Sequence, residues 1–536
     1  MGADVRTGTR RWFLGGLALV ALAGGCAALA GVDETYRLYP EACKPGETRP
    51  CYSGPAGTEG VSVCKGGAET CTPDGTGFGA CQGKGLPSLE VCTTKEDENC
   101  DGRDGCSGAC AWAEGLGSAV EVAVIKAATD DAGNILLTGT FGGTLAIGDI
   151  QLNSAESADV FLVKLDATGK VLWGKRFGGV GYQSGNGVAV DSEGNVLLTG
   201  HFEKSIDFGC GSITANVGEI ASHMFTVKLD PAGVCLWSRG FGGALSQTGS
   251  MIRVDASNDI LLLGSAHKEI DYGGGLLASV VPQNASIAKL DSTGKHIWSK
   301  NLGNATSMNV KDIAVDGSGA IVMMGDFFGS IDLGGGPMTA SGNFDVLVTK
   351  HSASGEHIWS QIFGDSGYQY GTGVAIDGAD NVLLTGSFAS GIDFGGGLLQ
   401  SAGEADAFFA KLDESGNHVF SNAFGGANGQ AGSSVRADST GNVVIRGSYS
   451  NEIDLGGGPI VPEGAGDSFL GKLDGAGKHL WSRRFGTGND QLFDMVIDRV
   501  GNVVLVGRFT GKVEFNGCTV TANSGGLELF VVKLAP

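Results

Sequence analysis

The chain has 536 residues, 94 of them glycine, and a formal net charge of −22. That length allows a large core and more than one domain, and glycine stands at more than twice its usual share of roughly 7%. A chain this acidic repels nucleic acid and anionic membrane surfaces, so cationic or neutral partners are expected.

Residues 1–25 read as an address rather than as structure. Arg6, Arg10 and Arg11 precede an apolar stretch from Trp12 to Ala23, which is too short and too glycine-rich for a good membrane span. Thr9-Arg10-Arg11-Trp12-Phe13-Leu14 resembles the twin-arginine export signal, with Gly15 where a lysine is common, and Ala23-Gly24-Gly25-Cys26 resembles a bacterial lipobox. The resemblance implies cleavage before Cys26, its acylation, and a lipid-anchored linker over 26–42. The other reading is an ordinary cleaved signal with an incidental cysteine. Anchoring is stable with two or more acyl chains, and the place expected is the outer membrane or cell surface. Thirteen cysteines in an exported chain imply disulfides, and removing Cys26 leaves an even number. The bonds close after twin-arginine export, or the chain takes the general secretory route.

Residues 43–109 form a cysteine-rich module, its cysteines running from Cys43 to Cys106. It is too poor in apolar residues to build a core alone, so cross-links must hold it. The run Cys51-Tyr52-Ser53-Gly54-Pro55 through Cys92, with Asp97-Glu98-Asn99-Cys100-Asp101-Gly102, resembles a cysteine-rich module of surface proteins in myxobacteria and their relatives, including its metal-binding motif. Asp97, Asn99 and Asp101, then Gly102, have the opening spacing of a calcium loop, in which alternate side chains converge on one hard cation. The twelfth position is Gly108 instead of a bidentate glutamate, so binding by the loop alone is weak. Calcium suits these oxygens better than copper, to which the family's motif has been tied. The alternative is a solvated acidic turn between two disulfides.

From residue 110 onward the chain repeats. Trp112, Trp173, Trp237, Trp298, Trp359, Phe420 and Trp481 recur at steps of 61 residues, with one step of 64. Gly139, Gly200, Gly264, Gly325, Gly386, Gly447 and Gly507 keep the same beat. A period this long means a propeller, solenoid or array. Each unit holds four short apolar strands with an extended piece between the second and third, as in Val188–Asp191, Asn195–Gly200, Phe225–Asp230 and Leu236–Ser238. Strands apolar on both faces suit sheets sandwiched between neighbours. Residues 110–536 resemble the bacterial beta-propeller repeat family, with its aKLD…G…lW and D-x-x-G-N signatures. The expected fold is all-β, a seven-bladed β-propeller of four-stranded blades.

Asp130, Asp191, Asp255, Asp316, Asp377, Asp438 and Asp498 each precede a turn, and an acid at every repeat is turn chemistry, not a catalytic set. The chain ends where a third strand ends, and the missing fourth strand stands at Cys110-Ala111-Trp112, so the N-terminal strand should complete the last blade. Cys210 and Cys235 occupy blade two at the positions that Cys518 and Cys110 occupy in blade seven. The expected bonds are therefore Cys210–Cys235 and, across the closure, Cys110–Cys518.

Loops from each fourth strand to the next first strand carry Gln183, Gln247, Gln369, Gln430 and Gln491, with Tyr182, Tyr368 and Tyr370 beside them. Such amides and aromatics suit a sugar or peptide; the other reading is that the glutamines bond neighbouring loop backbones. Arg253 and Arg436 replace small or apolar residues on inner strands, as positive spots at the channel or as members of ion pairs. His296, His357, His418 and His479 fall at one place in four separate outer strands, a period and not a coordination sphere. No nucleophile elbow, zinc helix or phosphate loop is present. The expectation is a monomeric, non-enzymatic envelope lipoprotein presenting a binding face to a protein or carbohydrate. The alternatives are an exported polysaccharide hydrolase or lyase, and a metal-binding protein acting through the cysteine-rich module.

Overall fold

The computed structural model describes residues 43–54, 58–87, 97, 100, 108–118, 121–215, 221–243, 245–278, 284–303, 307–464, 466–486, 491–522 and 527–536. The leader, Cys26, the linker, Asn99 and Asp101 lie outside the described residues. The chain divides into two compact units, one holding residues 43–51 and 67–82, the other beginning at Tyr52 and resuming at Gly83.

In the smaller unit, Thr48–Cys51 pairs antiparallel with Gly67–Thr70. The disulfides Cys43–Cys71 and Cys51–Cys81 brace it, and the Arg49 guanidinium lies 4.0 Å over the Phe78 ring.

The larger unit is a seven-bladed β-propeller made of seven four-stranded antiparallel sheets. Blade five shows the pattern: Gln369–Ile376, Val382–Phe388, Asp406–Leu412 and His418–Phe424 pair in chain order. The first strand of each blade lies beside the first strand of the next, and that of blade seven beside that of blade one, so the ring closes. Blade seven takes Gln491–Ile497, Val503–Phe509 and Glu528–Leu534 from the end of the chain and Cys110–Ser118 from its beginning. This closure pairs the outer edge of Glu528–Leu534 and gives the last blade its fourth strand.

The core is partitioned between blades. Leu136, Val160 and Leu162 of blade one pack on Leu198, Phe202 and Phe225 of blade two, and Val504, Val506 and Val531 of blade seven pack on Leu137, Phe161 and Val163 of blade one. Both faces of each sheet are therefore apolar, as the unalternating strands imply.

The extended piece between second and third strands is a small hairpin of its own, as in Glu269–Asp271 with Leu276–Ala278. In that hairpin Asp271 Oδ1 accepts from the amides of Gly273 and Gly275 at 2.7 and 3.0 Å. Gly274 lies flat on the His296 ring, where a Cβ would clash. The four periodic histidines are thus structural. Each Nε2 meets a serine three residues on, at 2.8–3.1 Å.

Candidate functional site: the loop face and the central channel

One end of the propeller carries the hairpins joining strands one to two and three to four, and it is tightly stitched. Each turn aspartate accepts turn amides, as Asp316 does from Ser318 and Ala320 at 2.9 Å. Each also pairs with a buried lysine of the third strand: Lys164–Asp130, Lys228–Asp191, Lys289–Asp255, Lys350–Asp316, Lys411–Asp377, Lys472–Asp438 and Lys533–Asp498, at 2.7–3.0 Å. The repeated tryptophan bonds the following blade. Nε1 of Trp112, Trp298 and Trp359 donates to the carbonyls of Ala167, Ala353 and Glu414 at 3.0–3.1 Å. Burial pushes the carboxyls of Asp191, Asp316, Asp377 and Asp438 up, but the lysines and turn donors outweigh it and hold them below the usual range. A surface so saturated with its own bonds has little to offer a ligand.

The other end carries the connections from strand four to the next strand one, and of the two sequence readings of its glutamines the structure fits the one in which they bond neighbouring loop backbones. Gln183, Gln247, Gln369 and Gln430 are buried, not displayed. Gln183 Nε2 donates to the carbonyls of Val180 and Ser205 at 3.1 and 3.2 Å, and Gln247 Nε2 to Glu269 at 3.1 Å. Gln369 Nε2 bonds Asp365 Oδ1, Ala389 O and Gly391 O at 2.7, 3.2 and 3.1 Å. Gln430 Oε1 accepts from the Gly426 amide at 3.2 Å. A loop that turns inward must satisfy its backbone groups locally, and the glutamine amide does so. Gln491 is exposed and accepts from the Arg508 guanidinium at 2.6 and 3.0 Å.

What the glutamines position is aromatic. Phe328, Tyr368 and Tyr370 are 46%, 47% and 37% exposed. Phe344 joins them into one run of rings at the junction of blades four and five: Phe328 to Phe344 at 6.1 Å, Phe344 to Tyr370 at 5.9 Å, and Tyr370 to Tyr368 at 6.1 Å and 20° between planes. Gln369 sits between the two tyrosines in the chain, and its main-chain N–H donates to Phe344 O at 2.8 Å, which ties the two segments that carry these rings. Asp326 lies close enough to help raise the Tyr370 phenol pKa, after burial. Asn309 Nδ2 donates to its Oδ2 at 2.9 Å, while its buried Oδ1 accepts no hydrogen bond and faces Lys311 Nζ at 4.0 Å. Burial pushes the Asp326 carboxyl up.

The first strands of all seven blades line a central cavity of about 530 Å3. Each first strand carries a bulge, and the skipped residues Asn186, Ser250, Lys311, Thr372, Ser433 and Phe493 line the channel, since a bulge re-aims a side chain. Arg253 and Arg436 lie in this channel, both on Asp312: Arg253 Nη2 at 2.8 Å from Oδ1 and Arg436 Nη1 at 3.2 Å from Oδ2. Periodicity pointed to the arginines, but nothing in it pointed to Asp312 as their shared partner.

The structure joins Cys110 to Cys518 and Cys210 to Cys235, and also Cys64 to Cys100. Disulfides in both units suit a chain that folds in an oxidising compartment and is exported. Asp97 is buried, and its amide donates to Ser62 Oγ at 3.3 Å. Among the described residues no group of three or more His, Cys, Asp or Glu is placed to hold a metal.

A family model described as SBBP, beta-propeller repeat, matches residues 172–201. An uncharacterised WD repeat-containing protein of Acanthamoeba polyphaga mimivirus is 22% identical over 442 residues, 66% of this chain and 31% of that protein, so the chain spans under a third of its relative's length. Sqt1 from Chaetomium thermophilum is similar over 79% of this chain and all of its own, at 11% identity and TM-score 0.40. The β-propeller domain of the Trilobed protease from Pyrococcus furiosus is similar over 77% of this chain and 94% of its own, at 9% identity and TM-score 0.39. The chain is a β-propeller repeat protein.

Proposed function

We propose that the protein is a non-catalytic binding protein of the cell envelope whose aromatic shelf at the junction of blades four and five takes a glycan. The observation that carries this reading is the run Phe328–Phe344–Tyr370–Tyr368, three of its rings exposed, bordered by the Asp326 carboxyl. Exposed rings in a contiguous patch mark an interaction surface. Ring faces pack on the C–H faces of a pyranose, and a few polar groups at the edge of the rings take its hydroxyls. The same shelf would serve a peptide rich in aromatic or aliphatic side chains, but the Lys311–Asp326 ion pair beside the rings favours a polyol.

In this reading acylated Cys26 anchors a monomer at the outer membrane or cell surface, and the cysteine-rich module acts as a spacer. Calcium at Asp97, Asn99 and Asp101 would stiffen that spacer without entering the binding reaction. Nucleic acid is not a partner, on charge grounds.

A glycan and peptide array probed with the full chain tests the proposal. Glycan signals should vanish in Tyr368→Ala/Tyr370→Ala at unchanged thermal stability. Signals confined to peptides, or signals that the double variant retains, would overturn the glycan reading. Shortening of the bound glycan over time would overturn the non-catalytic one.

A further inference from the structure

The channel departs from the charge of the molecule around it. In a protein of net charge −22, Lys126, Arg253, Lys311, Arg436 and Arg446 line the cavity together with just two carboxylates, Asp312 and Asp494. Both carboxylates are already well supplied with donors. Asp312 takes the two guanidiniums of Arg253 and Arg436 and the Ile313 amide at 2.9 Å. Asp494 takes the amides of Met495 and Ala127, each at 3.0 Å. Burial pushes the Asp494 carboxyl up, but the charges of Lys126 and Arg436, the Ala127 amide and Arg446 outweigh it and hold it low.

Arg446 is the outlier. It stands on the second strand of blade six, where blades one, two and five have Thr138, Thr199 and Thr385, each hydroxyl closing on a third-strand carbonyl at 2.8 Å. Its Nη1 and Nη2 donate to the carbonyls of Leu492 and Phe493 at 2.8 and 3.3 Å, while its Nε has no partner. Ser434, directly opposite it in the strand pair, also has a buried hydroxyl without a partner. Arg446 and Ser434 are 8% and 6% exposed. Two orphan donors side by side cost free energy unless an acceptor fills the gap. Burial pushes the guanidinium pKa down to about 10, Asp494 opposing and Arg436 adding to the fall.

We propose that the central channel binds a small oxyanion, a molecule bearing carboxylate or phosphate oxygens, which takes the free donors of Arg446 and Ser434 and neutralises the excess charge of Lys126 and Arg436. The site is distinct from the aromatic shelf. An anion that reaches it stays in contact with solvent through the mouth where Arg253 and Arg436 keep 32% and 24% of their side-chain exposure.

Calorimetric titration of the full chain in phosphate-free, low-salt buffer tests this, with inorganic phosphate, citrate and glucuronate as separate probes. At least one probe should show saturable one-to-one binding that weakens as ionic strength rises. Binding of phosphate alone would assign a phosphate site, and binding of the two carboxylates alone a carboxylate site. Arg446→Gln should weaken binding about tenfold or more, the scale of one lost charge-assisted hydrogen bond. Ser434→Ala should weaken it less, and Lys512→Gln, on the outer ribbon of blade seven, should leave it unchanged. If Arg446→Gln does not fold, Lys126→Met serves in its place, with a several-fold loss expected. No saturable binding of any probe, or equal binding by the channel variants and the wild type, would overturn the proposal.

Discussion

Arg436 of blade six reaches Asp312 of blade four, Nη1 to Oδ2 at 3.2 Å, across 124 residues of chain. Blade five has Gly373 at the position that Asp312 holds in blade four, where an added Cβ would sit 3.1 Å from Ser434 Cα. Arg253 holds the other carboxylate oxygen, so one acid couples blades three, four and six. Replacing Asp312 by Ala leaves two guanidiniums facing one another in the channel. The expected cost is about 3 kcal/mol, the low end for a broken buried pair because both cations still reach water. Urea unfolding of Asp312→Ala, Arg436→Ala and the double variant should show losses well short of additive; simple additivity would mean that the pair carries no coupling.

The turn-aspartate ring sets the response to acid. In Asp191, Asp316, Asp377 and Asp438 the folded pKa lies below the unfolded value of about 3.9, so their contribution is complete above that pH and is lost as pH falls through the folded values. Asp159, Asp326, Asp345 and Asp406 are pushed up by burial, so their ionised forms are a cost that protonation relieves between the folded and unfolded values. Calorimetric Tm should therefore hold or rise slightly on going down toward pH 4 and fall steeply below it. A steady decline starting at pH 6 would contradict this assignment.

The two propeller disulfides should differ in weight. Cys110–Cys518 closes 408 residues and Cys210–Cys235 closes 25. The chain-entropy account gives about 3.5 kcal/mol for the shorter loop and about 6 for the longer. Thermal unfolding under non-reducing conditions should show Cys518→Ala falling well below Cys210→Ala, and the reverse order would argue that the strand Cys110–Ser118 holds without its bond.

Phe420 stands where the other six units have tryptophan, and it has no N–H for the next blade. The equivalent acceptor, Gly475 O, already receives Lys411 Nζ at 3.1 Å and has a second lone pair. Phe420→Trp should raise stability by about 0.5–1.5 kcal/mol, the usual net worth of one hydrogen bond. A loss on urea unfolding would show that the indole does not fit over Gly477.

Much of the ring was legible in the order of residues, because a repeat that recurs in chemistry must recur in space. The beat of Trp and Gly set seven sheets, and the split of one unit between the two ends of the chain set the closure. The cysteines at matching offsets followed from that register. The turn acids were readable as turn acids, but their lysine partners were not, since the Lys of each third strand meets an Asp two strands earlier only once the sheet is formed. The glutamines show the same limit from the other side: a recurrent amide in a loop looks alike whether it faces solvent or its own backbone, and burial alone separates the two.

The sequence by itself determined what each blade is and how many there are, because hydrophobic period and turn chemistry are local properties of the chain. Tertiary structure decided what the blades do together. Bulges aimed six unremarkable residues into the channel, Arg436 crossed to Asp312 two blades away, and four aromatics from two blades became one shelf. Those are contacts between residues far apart in the chain, fixed by the radial packing of sheets that no single repeat contains.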